Sequence, residues 1–162
     1  MALFDPYALR GLALANRIVV SPMCQYSAED GRAGDWHLAH WAQLLQSGAG
    51  LVFVEATAVT REGRISPGCL GLYDDGCERA FADVLARARR LAPAVPVALQ
   101  LAHAGRKGSS AAPWNGGRPL ADDVISRSQR RSLIVASCAT PRHNTSAATA
   151  TGAPWKLPPD TM

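Results

Sequence analysis

Apolar residues gather into three short runs, Ile18–Val20, Leu51–Val54 and Val95–Leu101, each bounded by polar or turn-forming residues. Short continuous runs of this kind read as buried strands. Between the first two, His37–Gln46 places Leu38, Trp41, Leu44 and Leu45 on one helical face, with Asp35 near the start as a candidate cap. Between the second and third, Phe81, Val84, Leu85, Ala88 and Leu91 repeat at helical spacing. Asp75 followed by Glu78 resembles a capping box with an acidic cap, and Pro93 closes the segment. The order strand, helix, strand, helix, strand predicts right-handed parallel crossovers and an α/β sheet covered by helices. Doubly wound sheets and eight-stranded barrels both begin this way.

The flanks differ from this middle. Leu3–Asn16 carries short apolar pairs around Arg10-Gly11, a pattern compatible with a small hairpin plugging one end of a barrel. After about Ala121, Ser and Thr become frequent, Leu133–Ala136 is the one apolar run, and Thr140–Thr151 has almost no large side chains. The expected division is therefore an ordered portion over residues 1–121 and a divergent, irregular tail over 122–162.

At 162 residues and 48% hydrophobic composition, the chain is long enough for one domain with a real core. No stretch approaches the roughly 18 to 20 apolar residues of a membrane span, and Met1–Asp5 lacks the features of a secretory signal. A cytoplasmic protein with no membrane partner is expected. The net charge of +4 is scattered, and among the arginines only Arg89-Arg90 and Arg130-Arg131 are adjacent, so no nucleic acid partner is expected either. Cys24, Cys69, Cys77 and Cys138 show no zinc or disulfide spacing and read as free thiols in a reducing compartment. His37 and His40 stand three apart on a helix without a third ligand nearby. Capping, packing or exposure is the better account of them, and no metal is expected.

The chemistry-bearing residues follow the strands. Ser21-Pro22-Met23-Cys24-Gln25-Tyr26 comes directly after Ile18-Val19-Val20, and Pro22 cannot donate to a ladder, so the strand stops near Ser21. The next side chains then hang over the strand's carboxyl end, where sheets and barrels present ligand sites. The second run leads into Glu55-Ala56-Thr57-Ala58-Val59, whose small residues admit a flat ligand close to the backbone. The third leads into Gln100–Lys107, where Gln100 offers a donor and acceptors to a heteroaromatic edge. The set suits a planar cofactor. His103, beside Arg106-Lys107, reads as a loop anchor, and Arg61–Arg64 as a solvated loop.

Taken together, SPMCQYS, DWHL, GLVFVEATAV with REGRISPG after it, and QLAHAGRK followed by PW-N-GG-RPL resemble the amino-terminal part of the old yellow enzyme family. These are flavin-dependent ene-reductases, also described as NADPH dehydrogenases or NADH:flavin oxidoreductases. The resemblance covers roughly residues 2–121 and implies a partial TIM-type (β/α)8 barrel, about the first three strands with their helices. It also implies FMN as cofactor, NADPH or NADH as reductant, and a small-molecule activated alkene as substrate. It sets Ser21, Pro22, Met23 and Cys24 against FMN, with Ala58 and Gln100 completing the contacts and Tyr26 in the substrate pocket. The Cys24 and Tyr26 pattern is similar to the bacterial subgroup with a cysteine near the flavin. There a thiol would tune the ring through a weak hydrogen bond, while Gln100 would meet the pyrimidine edge.

The resemblance also defines what is missing. A complete barrel needs about 200 to 250 residues and forms its phosphate site after the seventh and eighth strands. The family's histidine pair or His-Asn pair, its proton-donating tyrosine, its flavin-side arginine and its phosphate loop are not recognisable in Asp122–Met162, His143-Asn144 included. No catalytic residue is therefore expected within this chain, and weak or no turnover follows for it alone. Truncation or a frame change accounts for the tail better than a new domain does. The alternative function is a non-catalytic barrel fragment that associates with another copy or a relative through an open sheet edge.

Overall fold

The computed structural model describes residues 2–92, 95–105, 108, 110–120 and, as backbone, 133–139. A hairpin comes first: β1 (Tyr7–Leu9) pairs antiparallel with β2 (Leu12–Leu14), and Arg10 turns the chain with a positive φ of 52°. Leu14 buries against Leu51 and Ala98, so the hairpin covers the lower end of the sheet as its apolar pairs foretold.

Three strands form the parallel sheet: β3 (Val19–Val20), β4 (Leu51–Ala58) and β5 (Val97–His103). Two helices, α1 (Asp35–Leu45) and α2 (Asp75–Arg89), make the crossovers. Trp41 and Leu45 of α1 and Val84 and Ala88 of α2 close on Val52, Val54 and Val97, forming one layer of core. Each large side chain so buried stabilises the fold by about 1.5 to 3 kcal/mol. The other sheet face carries Leu51, Phe53 and Ala98, over which the hairpin sits.

Both predicted caps shift by one residue. Helix α1 starts after Gly34, whose N–H donates to His37 Nδ1 at 3.2 Å, so Asp35 lies in the first turn and not at the cap. Helix α2 is capped by Asp74, whose carboxylate accepts the Cys77 N–H at 2.8 Å; Asp75 is already helical. A cap needs extended backbone just outside the helix, and Asp74 has it at φ −148°. Pro93 lies outside the described residues.

The tail also differs from expectation at one place. Leu133–Ala139 forms a strand, β6, pairing antiparallel with β5 from Val97↔Ala139 to His103↔Leu133. The sheet order is β3-β4-β5-β6, so the β5 edge expected to stand open is covered. A parallel neighbour needs a crossover of a dozen or more residues, usually a helix, whereas an antiparallel return does not. Thr140–Thr151 and His143-Asn144 lie outside the described residues.

Candidate functional site

The carboxyl ends of β3, β4 and β5 converge on one region. Beyond Val20 the chain runs without regular structure through Ser21–Ala28. Hydrogen bonds to neighbouring elements and within the loop fix this segment. The Gln25 N–H donates to Glu55 Oε2 at 2.9 Å, Gln25 Nε2 donates to the Met23 carbonyl at 2.9 Å, and Trp36 Nε1 donates to Gln25 Oε1 at 3.2 Å. The Ala28 N–H donates to the Gly68 carbonyl at 2.9 Å. Ser21 and Met23 remain exposed, while Pro22, Cys24 and Tyr26 are half-buried.

Strand alternation places Gln100 and Ala102 on the face of Ala98, opposite the helices. Ala58 joins them because β4 slips register between Val54 and Thr57, after which Ala58 pairs with Ala102. Ala58 is also held on its other side, its N–H donating to the Leu70 carbonyl and its carbonyl accepting from the Leu72 N–H. Strand β4 therefore extends through Glu55–Ala58, which the sequence pattern assigns to the segment after it. Among the described residues the Gln100 side-chain amide makes no hydrogen bond, leaving a donor and an acceptor available on this face.

Two pairs of titratable groups lie beneath the segment. The Cys24 and Cys69 thiols interact, and the Cys69 sulfur accepts the Ser66 N–H at 3.4 Å. That interaction, burial and the Cys69 charge push the Cys24 thiol well up, whereas the interaction with Cys24 and the contacts from Ser66 bring Cys69 down to about 6.

The second pair is Glu55 and His37, both buried, with Glu55 Oε1 and His37 Nε2 3.7 Å apart. Neither atom has a hydrogen-bond partner. Burial raises Glu55 to about 7 and lowers His37 to about 4, with His40 adding to the latter. His37 therefore serves packing and the α1 terminus.

Surrounding loops close the region. His103 anchors them as expected: its Nδ1 accepts the Gly105 N–H at 3.1 Å, and its ring leaves no room for a side chain at Gly63. Arg61–Arg64 is more than a solvated loop. Arg61 and Arg64 lie over the Tyr73 ring and pair with Asp30, and the Arg64 side chain is only 11% exposed. A cleft of about 250 Å³ lies between Tyr26, Pro67, Gly68 and Trp114, and the Tyr26 and Trp114 rings meet edge-on at 5.6 Å. Arg106 and Lys107 lie outside the described residues.

Glu55, Cys69 and Trp114 are the members of this region that reading the sequence alone did not single out. Glu55 had one available signal, an acidic residue inside an otherwise apolar run.

Residues 2–146 match the NADH:flavin oxidoreductase / NADH oxidase family. The chain belongs to this family. An NADPH dehydrogenase of Geobacillus thermodenitrificans is 42% identical over 132 residues, covering 75% of this chain and 38% of that protein. An NADH:flavin oxidoreductase of Gibberella zeae is 44% identical over 111 residues, covering 68% of this chain and 26% of its own length. The chain thus spans between a quarter and two fifths of these curated relatives. Among solved structures, a morphinone reductase variant in complex with tetrahydroNAD superposes with a TM-score of 0.60 at 28% identity, over 67% of this chain and 29% of that one. An old yellow enzyme homologue from Zymomonas mobilis gives 0.58 at 26% identity, over 65% and 29%.

This flavin oxidoreductase family uses FMN with NADPH or NADH, and its solved members are TIM barrels. The three parallel strands with their crossover helices are the partial barrel that this fold requires. The family match also extends beyond Ala121, to residue 146.

The described residues fit a flavin. A flat ring system needs a wall of small side chains and an amide at its polar edge. Ala58 and Ala102 side by side, both nearly covered, and Gln100 with its amide unpartnered among the described residues, supply these two features.

Proposed function

We propose that this chain forms one wall of the FMN site of an NAD(P)H-dependent oxidoreductase of the old yellow enzyme type. The observation that carries the reading is Gln100, whose side chain lies on the same sheet face as Ala58 and makes no hydrogen bond among the described residues. Ser21, Pro22, Met23 and Cys24 would hold one side of the ring, and Ala58 and Gln100 its base and polar edge. When bound, FMN supplies hydride chemistry, taking hydride from NADPH or NADH and delivering it to an activated alkene.

The chain's own residues position and exclude. The Gln100 amide matches both a carbonyl and an N–H of a pyrimidine edge. Ala58 and Ala102 permit close approach of the ring. Cys24, kept as a thiol by Cys69, would bring a polarisable sulfur without a charge to the ring. This supports the cysteine-bearing bacterial subgroup. Tyr26 with Trp114 lines the cleft on the substrate side. The described cysteines are all free thiols, which supports a reducing, cytoplasmic setting.

Titrating the 162-residue chain into FMN while following flavin fluorescence tests the reading. Saturable quenching is expected, weakened roughly five- to tenfold in Gln100→Leu, as loss of one buried hydrogen bond implies. Quenching that does not saturate, or that is indifferent to Gln100→Leu, would overturn it.

A further inference from the structure

Glu55 sits where β4 loses register, between Val54 and Thr57, and its carboxylate turns toward α1 and the Ser21–Ala28 segment. It is 2% exposed. Its Oε2 accepts the Gln25 N–H at 2.9 Å, and its Oε1 faces His37 Nε2 at 3.7 Å. His37 is itself fixed. Its Nδ1 accepts the Gly34 N–H, which assigns the remaining imidazole proton to Nε2 and aims it at Glu55. The buried carboxylate thus holds the Gln25 N–H on Oε2, while Oε1 faces the His37 imidazole edge without a hydrogen bond.

Gln25 passes this anchoring on. Its backbone follows Cys24 directly, its side-chain amide grips the Met23 carbonyl, and its Oε1 accepts from Trp36. Every one of these contacts converges on the segment that follows β3. A carboxylate is the right group for the task, because hydrogen bonds to charged acceptors are about twice as strong as neutral ones.

Resting on the flavin reading above, we infer that Glu55, packed against His37, is the positioning residue of the FMN wall, holding Ser21–Tyr26 in register with Ala58 and Gln100 through the Gln25 amide. It does not touch the cofactor. It acts through Gln25.

Protonation loosens this hold. An O–H on Oε2 opposes the Gln25 N–H, and an O–H on Oε1 leaves Oε2 a neutral and weaker acceptor for it. The groups facing Glu55 are His37, with His40 behind it on α1, Cys24 and Tyr26 on the loop after β3, and Cys69 on the loop after β4. Burial and the Cys69 charge raise Glu55 to about 7, so the hold tightens as the pH passes from acid to alkaline.

The deciding measurement is the Gln25 amide, followed by NMR in the full chain without flavin. Its proton resonance should move with a midpoint near pH 7, and this component should vanish in Glu55→Gln, leaving only a shift that follows Cys69 near pH 6. Hydrogen exchange at Gln25 should be about tenfold or more faster in Glu55→Ala and return toward the wild-type rate in Glu55→Gln, which keeps an acceptor. FMN affinity should weaken in Glu55→Ala and recover in Glu55→Gln. A Gln25 resonance that ignores pH in the wild type overturns the inference without any variant having to fold. Equal FMN affinity in wild type and Glu55→Ala also overturns it. If the wild type titrates at Gln25 yet takes up no FMN, the flavin reading fails and the anchoring of Gln25 by Glu55 stands.

Discussion

The thiols of Cys24 and Cys69 interact, although the two residues sit on loops that follow different strands. Two thiols so coupled titrate as a unit, and the first proton leaves far more easily than the second. The first belongs to Cys69, which Cys24 and Ser66 stabilise as thiolate and bring to about 6; the second stays on Cys24. Thiolate absorbance near 240 nm should therefore appear on folding at pH 7 and titrate near pH 6. Cys69→Ser should abolish it and return Cys24 toward its ordinary range. If the native protein shows no thiolate absorbance below pH 8, the coupling is wrong. The stability linked to Cys69 is present above its unfolded value of 9.0 and is lost as the pH falls through about 6.

Gly68 admits no side chain. A Cβ there would collide with the carbonyl oxygen of Tyr26, itself held at a positive φ of 52°. The obstruction is backbone on both sides, so no rotamer relieves it. Gly68→Ala should destabilise the chain by about 1 to 3 kcal/mol, the usual cost of overpacking a tight contact. It should also disturb the Tyr26–Trp114 contact, visible as a change in tryptophan emission. Unchanged denaturation and emission would show that the loops are not packed as described.

The succession of strands and helices was legible because each element carries a strong local signal. Val, Ile and Leu cluster in the strands, while Trp41 and Leu45, and Val84 and Ala88, repeat on one face of each helix. The extent of β4 was hidden because Glu55 and Thr57 break the apolar run, and the register slip that accommodates them is a tertiary feature. Strand β6 reached beyond its apolar start at Leu133–Ala136 because Ser137, Cys138 and Ala139 pair through backbone and carry little strand signal. Of the proposed site, motif residues such as Cys24, Ala58 and Gln100 could be named from sequence. Cys69, Trp114 and the role proposed for Glu55 could not, because each acts across loops distant in the chain.

Trp114 is 65% exposed, yet its ring edge meets Tyr26 at one side of the cleft. A contact of this type contributes about 0.5 to 1.5 kcal/mol beyond area burial, with little of the core at stake. Trp114→Ala should thus leave folding nearly intact while widening the cleft. On the proposed function, a phenolic or enone ligand that perturbs bound flavin should bind less tightly in Trp114→Ala, with FMN affinity unchanged. Loss of FMN affinity together with ligand affinity would place Trp114 on the flavin wall instead.

Glu55 and His37 also make opposing contributions to stability as pH changes. Glu55 is raised from 4.5 to about 7, so its contribution is fully present below 4.5 and is lost as the pH rises through 7. His37 is lowered from 6.5 to about 4, so its contribution is present above 6.5 and is lost as the pH falls through 4. Between about pH 4.5 and 6.5 the unfolded chain holds its proton on the histidine, and the folded chain holds it on the carboxyl. The number of protons bound is then the same in both states, and the wild-type stability should be nearly flat across this window. Removing one partner exposes the other. In Glu55→Gln, urea stability should climb with pH from about 4 to 6.5 under His37 alone; in His37→Gln it should fall from about 4.5 to 7 under Glu55 alone. Each slope should amount to at most about 3 kcal/mol over its window, since a tenfold change in proton affinity corresponds to about 1.4 kcal/mol. Parallel pH profiles for the two variants would mean that the proton is not exchanged between these residues on folding.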